Sequence, residues 1–267
     1  MFDFLDKIGL KAVLEAVKGK IPTISNPNLL INPNFKINQR GKSGTIIPNK
    51  NADGEDIHTY FVDRWGIDSG TVVINTDGTL TLNGTMSQIL ENAVGTNVTA
   101  SVSAGMAAYD DSTKTFTITA NGVTISWAKL EYGNSATPFV APDPATEMMK
   151  CCRYFQMIDP GQPVFGIVMN ASQIRVPYTM ICQMRTKPTV NLLRHTGNFT
   201  WTFRITNASG TSYSVTTDFS TMSASLIRYY GTTMNIYINV PHTLSTNEII
   251  YTGGNGGIYF SIDAEIY

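Results

Sequence analysis

The sequence predicts a mainly β protein, with an N-terminal helix followed by two antiparallel β-sandwich domains. Two observations carry the β assignment. Short stretches that alternate apolar and polar residues recur about every ten residues, the period-two pattern of half-buried strands. Turn dipeptides such as Asp77-Gly78 and Asn121-Gly122 stand between them, and these residues tolerate the positive φ that tight hairpins require. The helix rests on a third observation. Residues 2–18 place Leu10, Val13, Leu14 and Val17 on one stripe, at the spacing of a helical face.

Within that helix Asp3 serves as the cap and Asp6 follows in the first turn, where carboxylates complement the positive end of the helix dipole. Phe4, Leu5, Ile8 and Ala12 widen the apolar face, and Gly19 and Pro22 end it. A lone helix of about 17 residues is marginal in water, so the face needs a partner. The partner is either the chain's own first domain or an interface, with sister helices or with a socket on a larger particle. Pro22 to Pro27 reads as a spacer that holds the helix off the body, which points to the interface.

The domain boundaries read as 1–27 for helix and linker, 28–145 for the first β-domain and 146–267 for the second. In the first, residues 71–75 and 79–82 flank Asp77-Gly78 as a hairpin. Residues 98–103 and 115–119 alternate, the latter with Phe116 and Ile118 on one face, and Asn121-Gly122 predicts a second hairpin into Val123, Ile125 and Trp127. Residues 86–93 lack alternation and read as a helical interruption. A strand ending near Glu131 is followed by the Gly133-Asn134-Ser135 turn and an extended exit at Pro138-Phe139. In the second domain strands are predicted at 165–169, 174–180, 199–205, 213–217, 226–230, 234–240 and 258–262. The glycine-rich segment 253–257 precedes a strand, whereas a phosphate cradle uses the N–H groups of a following helix. It reads as a flexible tip or a tight inter-subunit contact.

Composition excludes several functions. A formal charge of −1 with only 15% charged residues gives no basic face for nucleic acid and no polybasic membrane patch. No apolar run approaches the ~20 residues that span a bilayer. The acidic start Met1-Phe2-Asp3-Phe4 lacks the basic region of a signal peptide, so synthesis in a cytoplasm is expected. Cys151, Cys152 and Cys182 have neither zinc nor disulfide-framework spacing and read as reduced, structural residues. His58, His195 and His242 are isolated, and no nucleophile-elbow sequence is present. Asp53, Glu55 and Asp56 sit in turn-like surroundings, as do Asp110 and Asp111; the last two carry the oxygen ligands a calcium ion would use, but solvated loop charges describe them better. No catalytic residue, metal ligand set or cofactor is assigned.

The segment from Trp127 to Phe139 holds Trp127, Lys129-Leu130-Glu131, Gly133 and Ala136-Thr137-Pro138-Phe139, and leads through Pro142 and Pro144 to Cys152-Arg153-Tyr154-Phe155. It resembles the seam in bacteriophage fibre and tail proteins where a jelly-roll module hands over to a distal β-domain. Asn28-Leu29-Leu30, Asn32, Phe35 and Gln39-Arg40 match the opening pattern of that family. Asp63-Arg64-Trp65 stands where such proteins carry a similar triplet. Residues 184–190 resemble the first strands of the distal domain, and Asp263-Ala264-Glu265-Ile266 is similar to the family's Asp-Ala-Glu-Leu ending. The resemblance spans roughly residues 28–267.

It implies a jelly roll of the carbohydrate-binding-module type over 28–145, a homotrimeric head or tail fibre, and a virion location after synthesis in a host bacterium. Attachment to other virion proteins would fall to the N-terminal helix through Leu10, Val13, Leu14 and Val17. Adjacent strand residues point to opposite faces, so one of Tyr229 and Tyr230 should be exposed. Tyr229, Tyr230 and Asn255 are the candidate receptor residues, tyrosine by stacking on a host glycan and asparagine by hydrogen bonding; a subunit contact is the other reading of the same residues. The alternative function is a carbohydrate-active enzyme or its binding module.

Overall fold

A computed structural model describes residues 25–158, 165–193, 200–207, 209–218, 221–244, 248–251 and 259–267, and they are mainly β with antiparallel pairing throughout. The expected helix with Leu10, Val13, Leu14 and Val17 lies outside the described residues, as does Asn255. No helix among the described residues is long and apolar enough to cross a membrane.

The first half begins with β1 (Gly44–Ile46), β2 (Asn49–Lys50), β3 (Asp56–Ile57), β4 (Thr59–Val62) and β5 (Trp65–Ile74). It continues with β6 (Leu80–Ile89), β7 (Val98–Val102), β8 (Met106–Asp110), β9 (Thr115–Ile125) and β10 (Ala128–Tyr132). A six-stranded sheet runs β1-β5-β6-β9-β8 with β4 also on β5, while β10 pairs with β7 and β2 with β3. Alternate residues of these strands meet in one core around Trp65, which lies edge-on to Phe35 at 5.1 Å and to Phe116 at 6.0 Å. The Asp77-Gly78 turn joins β5 to β6 as predicted: Gly78 takes a positive φ, its N–H bonds Asn75 O at 2.9 Å, and Asp77 Oδ1 accepts from Thr79 N.

Two expectations fail here for physical reasons. The Asn121-Gly122 pair does not turn the chain. It lies inside β9, where Leu82 pairs with Val123 but Asn83 pairs with Asn121. Gly122, at φ +68, is the extra residue of a β-bulge, the other structure that selects a left-handed glycine. Residues 86–93 are not helical: Met86 to Ile89 complete β6, and residues 90–93 are irregular. Met86, Ser87 and Gln88 are all buried, so this strand end is covered on both faces and loses the alternation that marks a one-sided strand.

Where the sequence suggested only a proline-containing link, the chain forms α1 (Pro144–Cys152). Asp143 caps it by accepting from Thr146 N at 2.8 Å, and Pro144 occupies the first turn, where its missing N–H costs nothing.

The second half contains β11 (Phe155–Ile158), β12 (Phe165–Asn170), β13 (Gln173–Thr179), β14 (Thr189–Leu193) and β15 (Thr200–Thr206). After these come β16 (Ser212–Asp218), β17 (Ser223–Tyr230), β18 (Thr233–Asn239), β19 (Ile249–Tyr251) and β20 (Tyr259–Asp263). All seven strands predicted in this half are present; β11, β14 and β19 are additional. Seven strands form one sheet in the order β16-β15-β19-β12-β13-β18-β17, and β11-β20-β14 form a second. Val168, Ile174, Val176, Ile236 and Ile238 of the large sheet pack with Phe260 and Ile262 of the small one in a second core.

Candidate functional site

Asp63, Arg64, Lys129, Glu131, Glu147 and Glu265, charged residues of the sequence motifs, are buried. Burying a charge is costly unless a partner and hydrogen bonds replace water, so each such residue must be accounted for. Asp63 and Arg64 form the tight turn between β4 and β5, with Arg64 at φ +69. That backbone aims the Arg64 guanidinium across the molecule, where it bonds the Glu265 carboxylate and Ile89 O and lies 3.7 Å over the Tyr154 ring. Burial opposes the charge on Arg64, but Glu265 and the neighbouring tyrosines outweigh it and hold the guanidinium protonated. Arg40 reaches the other oxygen of Glu265 at 3.1 Å and Asp263 at 3.5 Å, stacked 3.9 Å over Phe155. The side-chain carboxylate of Glu265 therefore receives both arginines.

Backbone bonds complete this joint. Gln39 donates its backbone N–H to Asp63 Oδ2 at 2.6 Å and its side-chain amide to Asp63 Oδ1 at 2.7 Å and to Phe155 O at 2.9 Å. Buried Asn32 donates to Ile37 O and Asp63 O, accepts from Trp65 Nε1, and gives its N–H to Glu147 of α1 at 2.7 Å. Ala264 N bonds Tyr154 O at 2.7 Å, Arg185 Nε bonds Ala264 O at 3.1 Å, and Tyr60 OH bonds Ile266 O. Burial raises the Asp63 carboxyl to about 6 even though Gln39 bonds favour its charged form. Burial likewise raises Tyr60 well above its ordinary value.

The Trp127–Phe139 segment builds a second, smaller cluster. Trp127 is half-buried, and it stacks on Phe139 with ring centroids 5.1 Å apart instead of entering the core. Lys129 and Glu131 are buried and paired at 3.0 Å. Lys129 Nζ also bonds Ser25 Oγ, Thr137 Oγ1 and Pro138 O. Burial would raise the Glu131 carboxyl, but bonds from Thr137 Oγ1 and N and from Lys129 prevail and lower it.

Other reactive side chains are committed to structure. His58, isolated in sequence, bonds Asp68 through Nδ1 at 2.7 Å, with Ser87 Oγ 3.4 Å from the same nitrogen. Its Nε2 lies against Gly66, where an added Cβ would come within 2.2 Å. A serine–histidine catalytic pair needs the second nitrogen on the nucleophile, and this histidine does not present it. Cys151 and Cys152 are buried and free, and Cys182 is half-buried and free. Burial pushes the Cys152 thiol up to about 11 and Cys151 higher still, which keeps both from the reactive thiolate form. Asp110 bonds Ser112, while Asp111 bonds Val94 N, Gly95 N and Tyr109 OH. Among the described residues no cluster of three His, Cys, Asp or Glu side chains is placed to hold a metal ion.

The tyrosine pair divides as adjacent strand residues must. Tyr229 packs on the second core and donates to Met184 O at 3.0 Å. Tyr230 is 68% exposed and borders a hollow of about 300 Å³ with Pro177, Tyr178, Thr179, Thr233 and Asn235. A larger cleft of about 480 Å³ opens beside the joint, between Arg40, Lys42, His58, Asn191 and Tyr267. The sequence marked Arg64, Gln39 and Glu265 only as pieces of motifs. Nothing in it signalled that Arg64 meets Glu265, that Gln39 bonds Asp63, or that Asn32 and Glu147 bind each other. No protein-family model, no curated protein and no solved structure matches this chain.

Proposed function

We propose that this chain is a fibre or appendage protein of a bacteriophage virion, on head or tail, whose distal part meets a glycan on the host surface. The proposed architecture is an N-terminal attachment helix, a jelly-roll-like β-sandwich over 28–145 and a distal β-sandwich over 146–267, assembled as a homotrimer. What supports the reading is the convergence of the joint. Gln39-Arg40, Asp63-Arg64, Arg153-Tyr154-Phe155 and Asp263-Ala264-Glu265 are the segments that resemble the fibre family, and they hold one buried ionic contact. Neighbouring domains in one chain ordinarily move against each other unless their interface is large. A buried, directional network fixes a single arrangement, which suits an appendage that must hold a receptor-binding end away from a particle.

Within this reading the glycan is received at the Tyr230 hollow. An exposed tyrosine supplies a face for a sugar ring, and Asn235, Thr179 and Thr233 supply hydrogen-bonding groups beside it. Tyr229 no longer qualifies, since its ring and hydroxyl are engaged. Catalysis has no place in the proposal.

Immunogold electron microscopy of the phage particles with antibody to this chain is expected to label an appendage. Unlabelled particles that also lack the chain by mass spectrometry would sink the reading. Tyr230→Ala is expected to lower binding of the purified protein to host cells at least tenfold, with its circular dichroism unchanged. Release of reducing ends from host polysaccharide by the wild-type protein would instead favour a carbohydrate-active enzyme.

A further inference from the structure

The small sheet β11-β20-β14 has one face in the second core and one turned towards the first half of the chain. Its register places Met157, Ser261 and Asn191 in one row, with Phe155 and Asp263 two residues along on the same face. Phe260 and Ile262 alternate with them along β20 and are buried in the second core, so both rows face away from that core. These rows form the floor of the cleft of about 480 Å³ beside the joint. Its walls come from the first half, from Arg40 and Lys42 and from Asn49 and Ile57, which pair across β2 and β3. Concave sites between parts of a chain are where small ligands ordinarily bind, and this volume falls within the ~300–1,000 Å³ of such sites.

The side chains of the cleft select its ligand. Tyr267 is 80% exposed, yet it is held on two sides. Its ring stands edge-on to Tyr60 with centroids 5.5 Å apart, and its hydroxyl donates to Asp263 Oδ2 at 3.0 Å. An exposed aromatic ring fixed in this way offers an apolar face with little ordering left to lose, which suits the C–H face of a sugar ring. Asn49, Asn191 and Ser261 bring amide and hydroxyl groups for the sugar's own hydroxyls. Charge narrows the class further. Arg40 is engaged by Asp263 and Glu265, and His58 by Asp68. Asp263 is engaged in turn, by Arg40 and Tyr267 at Oδ2 and by Glu265 N at Oδ1. Lys42 is different. It is exposed and has no carboxylate partner among the described residues. Asn38 fixes its backbone, accepting from Lys42 N at 3.3 Å and donating to Lys42 O at 2.7 Å. We propose that this cleft is a saccharide site separate from the Tyr230 hollow, and that it takes a sugar carrying a carboxylate or phosphate. The sugar ring lies on Tyr267 and the anionic group meets Lys42. The proposal goes beyond the fibre reading and requires neither a virion nor a host.

The test is calorimetric titration of the full chain with glucose, glucuronic acid and glucose 6-phosphate at millimolar concentration. At least one of the two acidic sugars is expected to bind about tenfold more tightly than glucose, and the tighter one identifies the anionic group. Tyr267→Ala is expected to weaken that binding about tenfold. Lys42→Gln is expected to abolish the preference over glucose, and Tyr230→Ala to leave both affinity and preference unchanged. Both cleft residues are exposed, so circular dichroism should match the wild type. If Tyr267→Ala does not fold, Asn191→Ala on the exposed floor replaces it, with a several-fold loss expected. Failure of both acidic sugars to bind, or glucose binding as tightly as they do, overturns the proposal. So does an acidic sugar whose affinity falls in Tyr230→Ala but not in the cleft variants. Each of these results leaves the labelling of virions untouched, so this site and the fibre reading fail separately.

Discussion

Lys129–Glu131 and Arg64–Glu265 are both buried ion pairs, yet they arise from opposite ends of the range of sequence separation. Lys129 and Glu131 are two residues apart on β10, and alternate residues of a strand share a face, so the pair is set as soon as the strand forms. Its remaining bonds go to Ser25, Thr137 and Pro138, all at the edge of the first core. Arg64 and Glu265 are 201 residues apart, and they meet only when the C-terminal segment docks on the turn between β4 and β5. The local pair secures one segment; the distant pair reports the arrangement of the two halves. A buried pair is weak evidence of net stability, but a distant one selects a single docked geometry, since any other leaves charges buried and unpaired.

Glu265→Ala is the strongest way to break that contrast. It leaves Arg64 and Arg40 without their shared carboxylate in a site closed to water. Removing one partner of a buried pair costs about 3–5 kcal/mol. Calorimetry is expected to turn one cooperative unfolding transition into two, because the lost energy belongs to the contact between the halves. A single transition at the wild-type temperature would show that the joint does not couple them.

Asp63 sharpens the comparison through pH. Burial raises its folded pKa to about 6, from the ordinary 3.8. The folded state therefore holds the proton more tightly than the unfolded chain does. The stability Asp63 contributes is fully present below about pH 4 and is lost as pH rises through 6, about 3 kcal/mol at most from a shift of about two units. Carboxyls with lowered values, such as Glu131, act in the opposite direction, so the measurement is a difference. Urea midpoints of the wild type and Asp63→Asn, compared between pH 4 and pH 8, are expected to move in favour of the variant as pH rises. A constant difference would remove Asp63 as the titrating group.

The strands were legible because most are covered on one face only, which writes period two into the sequence. β9 shows the limit. Its alternation at Thr115–Thr119 marks the strand, but the following Asn121-Gly122 reports only a left-handed backbone, and a bulge satisfies that as well as a turn. The end of β6 was illegible because Met86, Ser87 and Gln88 are covered on both sides. Helix α1 does carry a signal in the sequence, with Asp143 as cap and Pro144 directly after it. The joint is another matter. Gln39, Asp63, Arg64 and Glu265 stood out by resemblance, yet nothing local pairs Arg64 with a carboxylate 201 residues away. Such contacts are set by how two cores dock, and a single sequence carries no period for that.

Lys129→Met is the smallest of the three perturbations and tests the local half of the contrast. Methionine keeps much of the lysine stem's volume, so the apolar contacts persist while the ammonium is lost. Glu131 then remains buried, but it keeps the bonds from Thr137 N and Oγ1, so the cost falls to ~2 kcal/mol, within the range for one under-satisfied buried polar group. The carbonyls of Thr137 and Pro138 and the hydroxyl of Ser25 lose their common donor. Limited proteolysis is expected to cut faster within residues 133–143, where the chain leaves β10 for α1. The Arg64–Glu265 contact shares none of these groups, so unfolding should stay a single transition at a lower temperature. If Lys129→Met splits the transition as Glu265→Ala is expected to, the seam and the joint form one network, and the separation of local from distant ion pairs fails.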